Sequence, residues 1–340
     1  MILVIRTALI LAFGTWCAGA WDYEGHEAIN DLALAALPAD FGLEMTPDRK
    51  ARVEYLAGEP DRWRNLRDLS LRQANAPDHY VDLEDLGLLG YTTETLPPLR
   101  YDFMAQLARV RLEHPERFPA IDPTHDADHT RELYGFLPWS ITENFEKLKS
   151  DFSILKTFRQ EGGNEVEVAN AEADCLYVMG ILGHFVGDGS QPLHTSRNFN
   201  GWVGDNPEGY TTRTTFHAWI DGGYFRKTGR IPVEEMAGRI HQARRLEGDD
   251  QPDGVFRKVM DYLVASNQGV KPLYQMEKDG ELSGYGEKGH EGLIFLQGQL
   301  IQAGQMLGDL WWTAWEDAGT DRYLQRQLNQ RAASSGTTGP

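Results

Sequence analysis

The sequence predicts an all-α protein, a single mostly helical domain over residues 21–330. Three observations carry that expectation. Apolar residues recur at helical spacing, and no stretch alternates as a half-buried strand does. Helix start and stop signals such as Thr46-Pro47 and Gly162-Gly163 bracket runs of helical length. There is also no internal repeat and no dinucleotide or phosphate-loop motif. The 340 residues, 41% hydrophobic and 25% charged, suit a soluble globular chain with a sizeable core.

Taken in order, residues 1–20 read as an export signal. Arg6 supplies a positive start, Ala8 to Trp16 is largely apolar but too short to span a bilayer, and Ala18-Gly19-Ala20 is a small-residue cleavage site. Cleavage after Ala20 would leave Trp21 as the N-terminus of a secreted or periplasmic protein. A helix follows through Ile29, Leu32, Leu34 and Leu37, ended by Pro38. Thr46 caps a second helix that runs to Leu56, where Gly58-Glu59-Pro60-Asp61 breaks the pattern. A polar stretch leads to Pro77–Asp82, and another helix spans Leu99–Leu112.

His114 to His129 reads as a loop with three prolines, carrying the His125-Asp126-Ala127-Asp128-His129 cluster, a solvated loop before it is a weak metal site. Ser140 and Glu143 resemble a capping box for a helix through Phe145, Leu148 and Phe152, stopped by Gly162-Gly163. The central helix then passes Leu176, Tyr177, Met179, Ile181 and Leu182 and ends near Gly187–Gly189. Asn198–Asn206 is too rich in turn residues for regular structure. Helices are expected from Phe216, near Val233–Arg245, near Val255–Val270 and over Gly292–Trp315, and Arg331–Pro340 reads as a disordered tail.

Charge and cysteines narrow the function classes. The formal net charge is −18, and loss of Arg6 with the leader deepens it by one. No basic stripe tracks a nucleic-acid backbone, so binding driven by surface charge is disfavoured. Bound cations can nonetheless dominate the field of a local site. Of the two cysteines, Cys17 leaves with the leader, and Cys175 reads as a buried small hydrophobe with no disulfide partner.

The chemistry concentrates in Gly183-His184-Phe185-Val186-Gly187-Asp188-Gly189-Ser190-Gln191-Pro192-Leu193-His194. His184 and Asp188, four apart, share one helix face and can grip one cation; His194 follows the turn at Pro192 as a third candidate. A core histidine beside a helix-end carboxylate would leave the same trace. A second pair, His217 and Asp221, repeats the spacing, and His26, His79 and a freed Trp21 amino terminus add further donors.

Together these residues resemble the secreted zinc-dependent nucleases of the S-one/P-one type and their relatives, the bacterial zinc-dependent phospholipases C. The resemblance runs through Trp21 and His26, Asp61, His79 to Asp82, the Gly183–His194 segment and the His217–Asp221 pair, with a looser match near 292–308. It implies three zinc ions. Asp61, His79, His184 and Asp188 would hold one; the Trp21 amino nitrogen and carbonyl, His26 and a bridging Asp188 a second; and His194, His217 and Asp221 a third. It further implies phosphate-ester hydrolysis by a zinc-activated hydroxide, with Asp61 orienting the nucleophile. Arg64 matches a phosphate-stabilising position, although a surface arginine would look the same.

The resemblance favours a single-stranded DNA, RNA or nucleotide substrate, cleaved in the manner of a nuclease or 3′-nucleotidase. Tyr80 would stack on a base and Asp82 hydrogen-bond its edge, and Asn206 sits in what remains of a nuclease-type Gly-Gly-Asn loop. A tyrosine packed into the site wall would read identically. One alternative is a phospholipase C, with Trp202, Trp219 and Tyr224 as candidates for an apolar rim around a lipid headgroup, although a core position would explain each of them equally. The other is a non-catalytic exported zinc-binding protein. No protein partner is implied.

Overall fold

The computed structural model describes residues 21–229, 231–248, 251 and 253–336. The expected leader, residues 1–20, and the last four residues of the expected tail lie outside them. The chain forms α1 (Tyr23–Ala36), α2 (Pro47–Leu56), α3 (Glu59–Arg64), α4 (Leu69–Asn75), α5 (Arg100–Glu113), α6 (Leu137–Glu161) and α7 (Glu165–Ser190). After a long irregular segment come α8 (Phe216–Ala218), a π-helical turn over Trp219–Gly223, and α9 (Tyr224–Thr228). The remainder is α10 (Val233–Ala237), α11 (Gly254–Asn267), α12 (Val270–Asp279), α13 (Glu291–Asp317) and α14 (Arg322–Gly336). Strand pairing among the described residues is limited to two isolated bridges, Val81 with Gly135 and Phe199 with Gly201. The fold is all-α in one helical domain, as the periodicity predicts.

The central helix is α7, wrapped by α1, α2, α6, α11 and α13. Its C-terminal half, from Met179 to Ser190, is buried on every side, which explains its nearly uninterrupted apolar and small residues. Asn164 caps it: its side chain accepts from Glu167 N at 2.9 Å, and Glu167 answers by accepting from Asn164 N at 2.8 Å. That reciprocal pair satisfies two otherwise orphaned amide donors. Gly162, in the left-handed region with φ 85°, ends α6 and turns the chain straight into α7.

Close contacts onto α7 need its glycines. A β-carbon at Gly187 would stand 2.8 Å from His26 Nδ1, so only glycine lets the α1 histidine lie against this turn. One turn earlier, a β-carbon at Gly183 would collide with the Asn30 side chain. Asn30 donates to Val53 O at 2.9 Å and thereby ties α1 to α2 beside α7. Cys175 is buried on this helix, as expected of a small hydrophobe.

Several sequence expectations need correction. Ser140 caps nothing: α6 begins at Leu137 behind Phe136, and the Ser140 hydroxyl donates to Phe136 O inside the first turn. Pro138, preset for a first turn, starts the helix earlier than the Ser-x-x-Glu pattern suggests. The break at Gly58–Asp61 is instead the start of α3, with Pro60 in its first turn. The helix near Val233–Arg245 stops at Ala237, and Ala243 N then pairs with Ala36 O at the end of α1. The expected helix over Val255–Val270 is divided between α11 and α12. Residues 331–336 of the expected disordered tail are helical, and Arg331 is ion-paired with Glu167 at 2.7 Å.

Candidate metal centre

Backbone hydrogen bonds bring the candidate ligands together. The C-terminal end of α7 supplies His184 and Asp188, and the 3-10 turn Pro192–Thr195 supplies His194. His79 ends a second 3-10 turn, Ala76–His79. The two turns clasp each other: Val81 N donates to His194 O at 2.9 Å, and His194 Nδ1 donates to His79 O at 2.6 Å. Asp61 comes from α3, His26 from α1, His217 from α8 and Asp221 from the π turn. All eight of these side chains are buried.

Asp188 sits at the middle. Its Oδ2 lies 3.0 Å from His79 Nδ1 and 3.4 Å from His184 Nε2, while Oδ1 lies 3.7 Å from His26 Nε2. Asp61 Oδ1 is 3.9 Å from both His79 Nδ1 and His184 Nε2. His79 Nδ1 and His184 Nε2 are themselves 2.9 Å apart. In the third group, His217 Nε2 lies 2.8 Å from His194 Nε2 and 3.2 Å from Asp221 Oδ2.

These spacings fit cations. Ligand atoms about 2.0–2.2 Å from a tetrahedral metal stand about 3.3–3.6 Å from one another, and the observed separations bracket that range. Histidine tautomers fit as well. His184 Nδ1 donates to Ala57 O at 2.6 Å, as His194 Nδ1 does to His79 O, so each turns Nε2 towards its cluster. Backbone carbonyls orient metal-binding imidazoles in this way. His79 Nε2, Asp188 Oδ1 and Asp221 Oδ2 are buried without a hydrogen-bond partner among the described residues, a costly state that a cation would relieve for the two carboxylate atoms. Three groups therefore can hold metal ions: His26, His184 and Asp188; Asp61, His79 and His184; and His194, His217 and Asp221.

Electrostatics sort the groups. Burial, helped by the neighbouring His184, pushes His26 down to about 3; burial and the Arg64 charge do the same to His79, also to about 3. Both imidazoles are therefore neutral and ready to donate lone pairs. Burial also lowers His194 and His217. Against the opposing effect of burial, the surrounding histidines, His184 foremost, hold Asp188 well below the usual carboxylate range. Against burial, Arg64 lowers the Asp61 carboxyl below its ordinary value, with the two side chains 2.6 Å apart. Burial drives Asp221 well above that range, a carboxylate short of positive charge in its own cluster.

The other sequence-designated residues are distributed unevenly. The Trp21 indole is fully buried and donates to Gly187 O and Ser190 Oγ, both at 3.0 Å, on either side of Asp188. The next residue, Asp22, donates from its backbone to Asp221 O at 3.0 Å. Arg64 faces the cluster through Asp61. Tyr80 is half-buried, its hydroxyl donating to Leu133 O at 3.2 Å. Burial, with Asp85 and Glu84 nearby, raises the Asp82 carboxyl well above its ordinary range. Asn206 closes a local loop, accepting from Tyr210 N and donating to Tyr210 O, both at 2.8 Å. Its amide thus shapes the loop and is taken up there.

Two of the expected rim aromatics are packing residues. Tyr224 is fully buried and donates to Gly289 O at 3.1 Å, and the Trp219 indole donates to Leu282 O at 2.8 Å. Trp202 is half-buried against Tyr210 and Tyr274. In the 114–135 loop, Asp126, His129 and Glu132 also come within metal-ligand range of one another, with His129 and Glu132 partly or fully open to solvent. Sequence reading assigned no role to Gln191, which donates to Asp221 Oδ1 at 2.6 Å, or to the Ala57 carbonyl. Gln191 stands in the motif itself, but spacing alone cannot match it to a residue thirty positions on.

No protein-family model matches this chain, and no curated protein matches it. What the chain does must be read from these side chains.

Proposed function

We infer that this chain is an exported metal-dependent hydrolase of phosphate esters, of the kind its sequence resembles, acting on single-stranded nucleic acid or nucleotides with three zinc ions. The observation that carries this reading is the division of the Asp188 carboxylate, one oxygen towards His79 and His184 and the other between His26 and His194, 3.7 and 3.6 Å away. One carboxylate facing two buried histidine sets could be shared by two cations. Asp61, His79, His184 and Asp188 would hold the first zinc. His26, Asp188 and the Trp21 main chain would hold the second, and His194, His217 and Asp221 the third.

Zinc bound there would acidify a water and offset charge on a phosphate. The protein's own groups complement that chemistry. Asp61, kept ionised by Arg64, can accept a proton from a water or orient it. Arg64 brings positive charge close enough to lower His79, His194 and His217, which suits a group that steadies a phosphate oxygen. Asp82, its carboxyl raised by burial, can donate as well as accept at the edge of a base. In this reading a base would stack on the neighbouring, half-buried Tyr80 ring.

One observation favours a lipid headgroup instead. Phe199 is exposed, with its ring 5.7 Å from that of His217, and would give an acyl chain an apolar contact beside the third cluster. Zinc-loaded protein beginning at Trp21, assayed in parallel on single-stranded DNA, RNA and phosphatidylcholine with a chelator control, separates the readings. Chelator-sensitive cleavage of nucleic acid supports the nuclease. Cleavage of the lipid alone replaces it with a phospholipase C. Inactivity on all three with zinc bound favours a non-catalytic zinc-binding protein.

A further inference from the structure

We propose that Gln191 is the positioning residue of the third cluster, fixing His194 and Asp221 relative to each other for the cation they share. This rests on the reading of that cluster as a zinc site. Gln191 is fully buried. Its Oε1 accepts from Leu193 N at 2.8 Å, which fixes the orientation of the amide. Nε2 must therefore point the other way, where it donates to Asp221 Oδ1 at 2.6 Å.

The backbone of the same residue joins two more ligand positions: Gln191 N donates to Asp188 O at 3.1 Å, and its carbonyl accepts from His194 N at 2.9 Å. One residue thus touches Asp188, His194 and Asp221. The consequence lies at Asp221. With Oδ1 engaged by the amide, the carboxylate turns Oδ2 alone towards His217 Nε2, 3.2 Å away, and that oxygen has no hydrogen-bond partner among the described residues. A carboxylate ligand held by such a donor presents one oxygen in one direction, and the loss of partners of this type weakens metal binding by about 10–100-fold.

The test is zinc binding to the full mature protein by competition with a chelator of known affinity, with elemental analysis of the bound metal. Gln191→Met keeps the length of the side chain and removes both amide contacts. It is expected to bind two zinc equivalents as wild type does and the third about 10–100-fold more weakly, matching the residual stoichiometry of Asp221→Asn. Gln191→Asn retains an amide one methylene too short to reach Asp221 and is expected to show the same selective loss, so the outcome does not hinge on how well methionine fits. Losing the buried acceptor of Leu193 N should lower the melting point of both stripped variants, so the test is carried by the selective loss of one equivalent, which general destabilisation does not produce. Three equivalents bound at wild-type affinity, or uniform weakening of all three, would overturn the proposal. Failure of wild type itself to bind a third zinc would instead remove the reading on which it rests.

Discussion

His184 donates from Nδ1 to the carbonyl oxygen of Ala57 across 2.6 Å, and this hydrogen bond between α7 and the end of α2 decides which face of the imidazole meets the cluster. The opposite nitrogen, Nε2, then stands between Asp61 and Asp188. A backbone carbonyl thus sets the ligand geometry, and it does so because Gly180 and Gly183 let α1 and α2 press against α7. Packing and chemistry meet in one helix.

Gly187 tests that connection. A methyl group there would meet His26 Nδ1 at 2.8 Å and Ile29 Cδ1 at 3.0 Å. Overpacking of this kind costs about 1–3 kcal/mol, and relief by moving His26 would pull it off Asp188. Gly187→Ala should therefore lower stability in urea titrations and reduce bound metal, with the groups at His79 and His217 less affected. Unchanged stability and metal content would mean that α1 has more room than the structure gives it.

At the other end of α7, Asn164→Ala removes the capping box some twenty residues from the cluster. Loss of such a cap costs about 0.5–2 kcal/mol. A lower urea midpoint with an unchanged metal count is expected. A changed metal count would indicate that fraying at the start of α7 reaches its far end.

Asp151 gives a pH signature away from the metal groups. Burial between α6 and α7, with Asp174 close by, raises its carboxyl to about 6. The folded state therefore holds a proton that the unfolded state releases at lower pH, and stability falls as pH rises from about 4 to about 6. Asp151→Asn should raise the melting temperature at pH 7 and above and flatten that descent, while making little difference below pH 4 or so. A variant no more stable at pH 7, with the same pH slope, would place the titrating group elsewhere.

Helix periodicity and His-x-x-x-Asp spacing exposed α7 and its candidate ligands because both are local signals, set within one or two turns. Thr46-Pro47 was legible for the same reason, and Thr46 does accept from Arg49 N. Features built by contact between distant segments were not. The Ser140–Glu143 pattern imitates a cap, yet Pro138 starts the helix earlier, and Glu143 pairs with Arg100 instead. The π turn that carries Asp221 leaves no periodic trace in five residues. Asn206 reads as a substrate-binding residue, and the local bonds of its amide to Tyr210 are not visible in the spacing. Gln191 and the Ala57 carbonyl acquire meaning only once α7, α2 and the π turn are side by side.

The most direct measurement is the metal content of zinc-saturated wild type and of Asp188→Asn, by elemental analysis after gel filtration. A single carboxylate whose oxygens face both His79–His184 and His26 should, once replaced by an amide, release two cations together and leave the one at His194, His217 and Asp221. Loss of a single cation from Asp188→Asn would contradict the bridging role of this residue and the paired centre inferred from it.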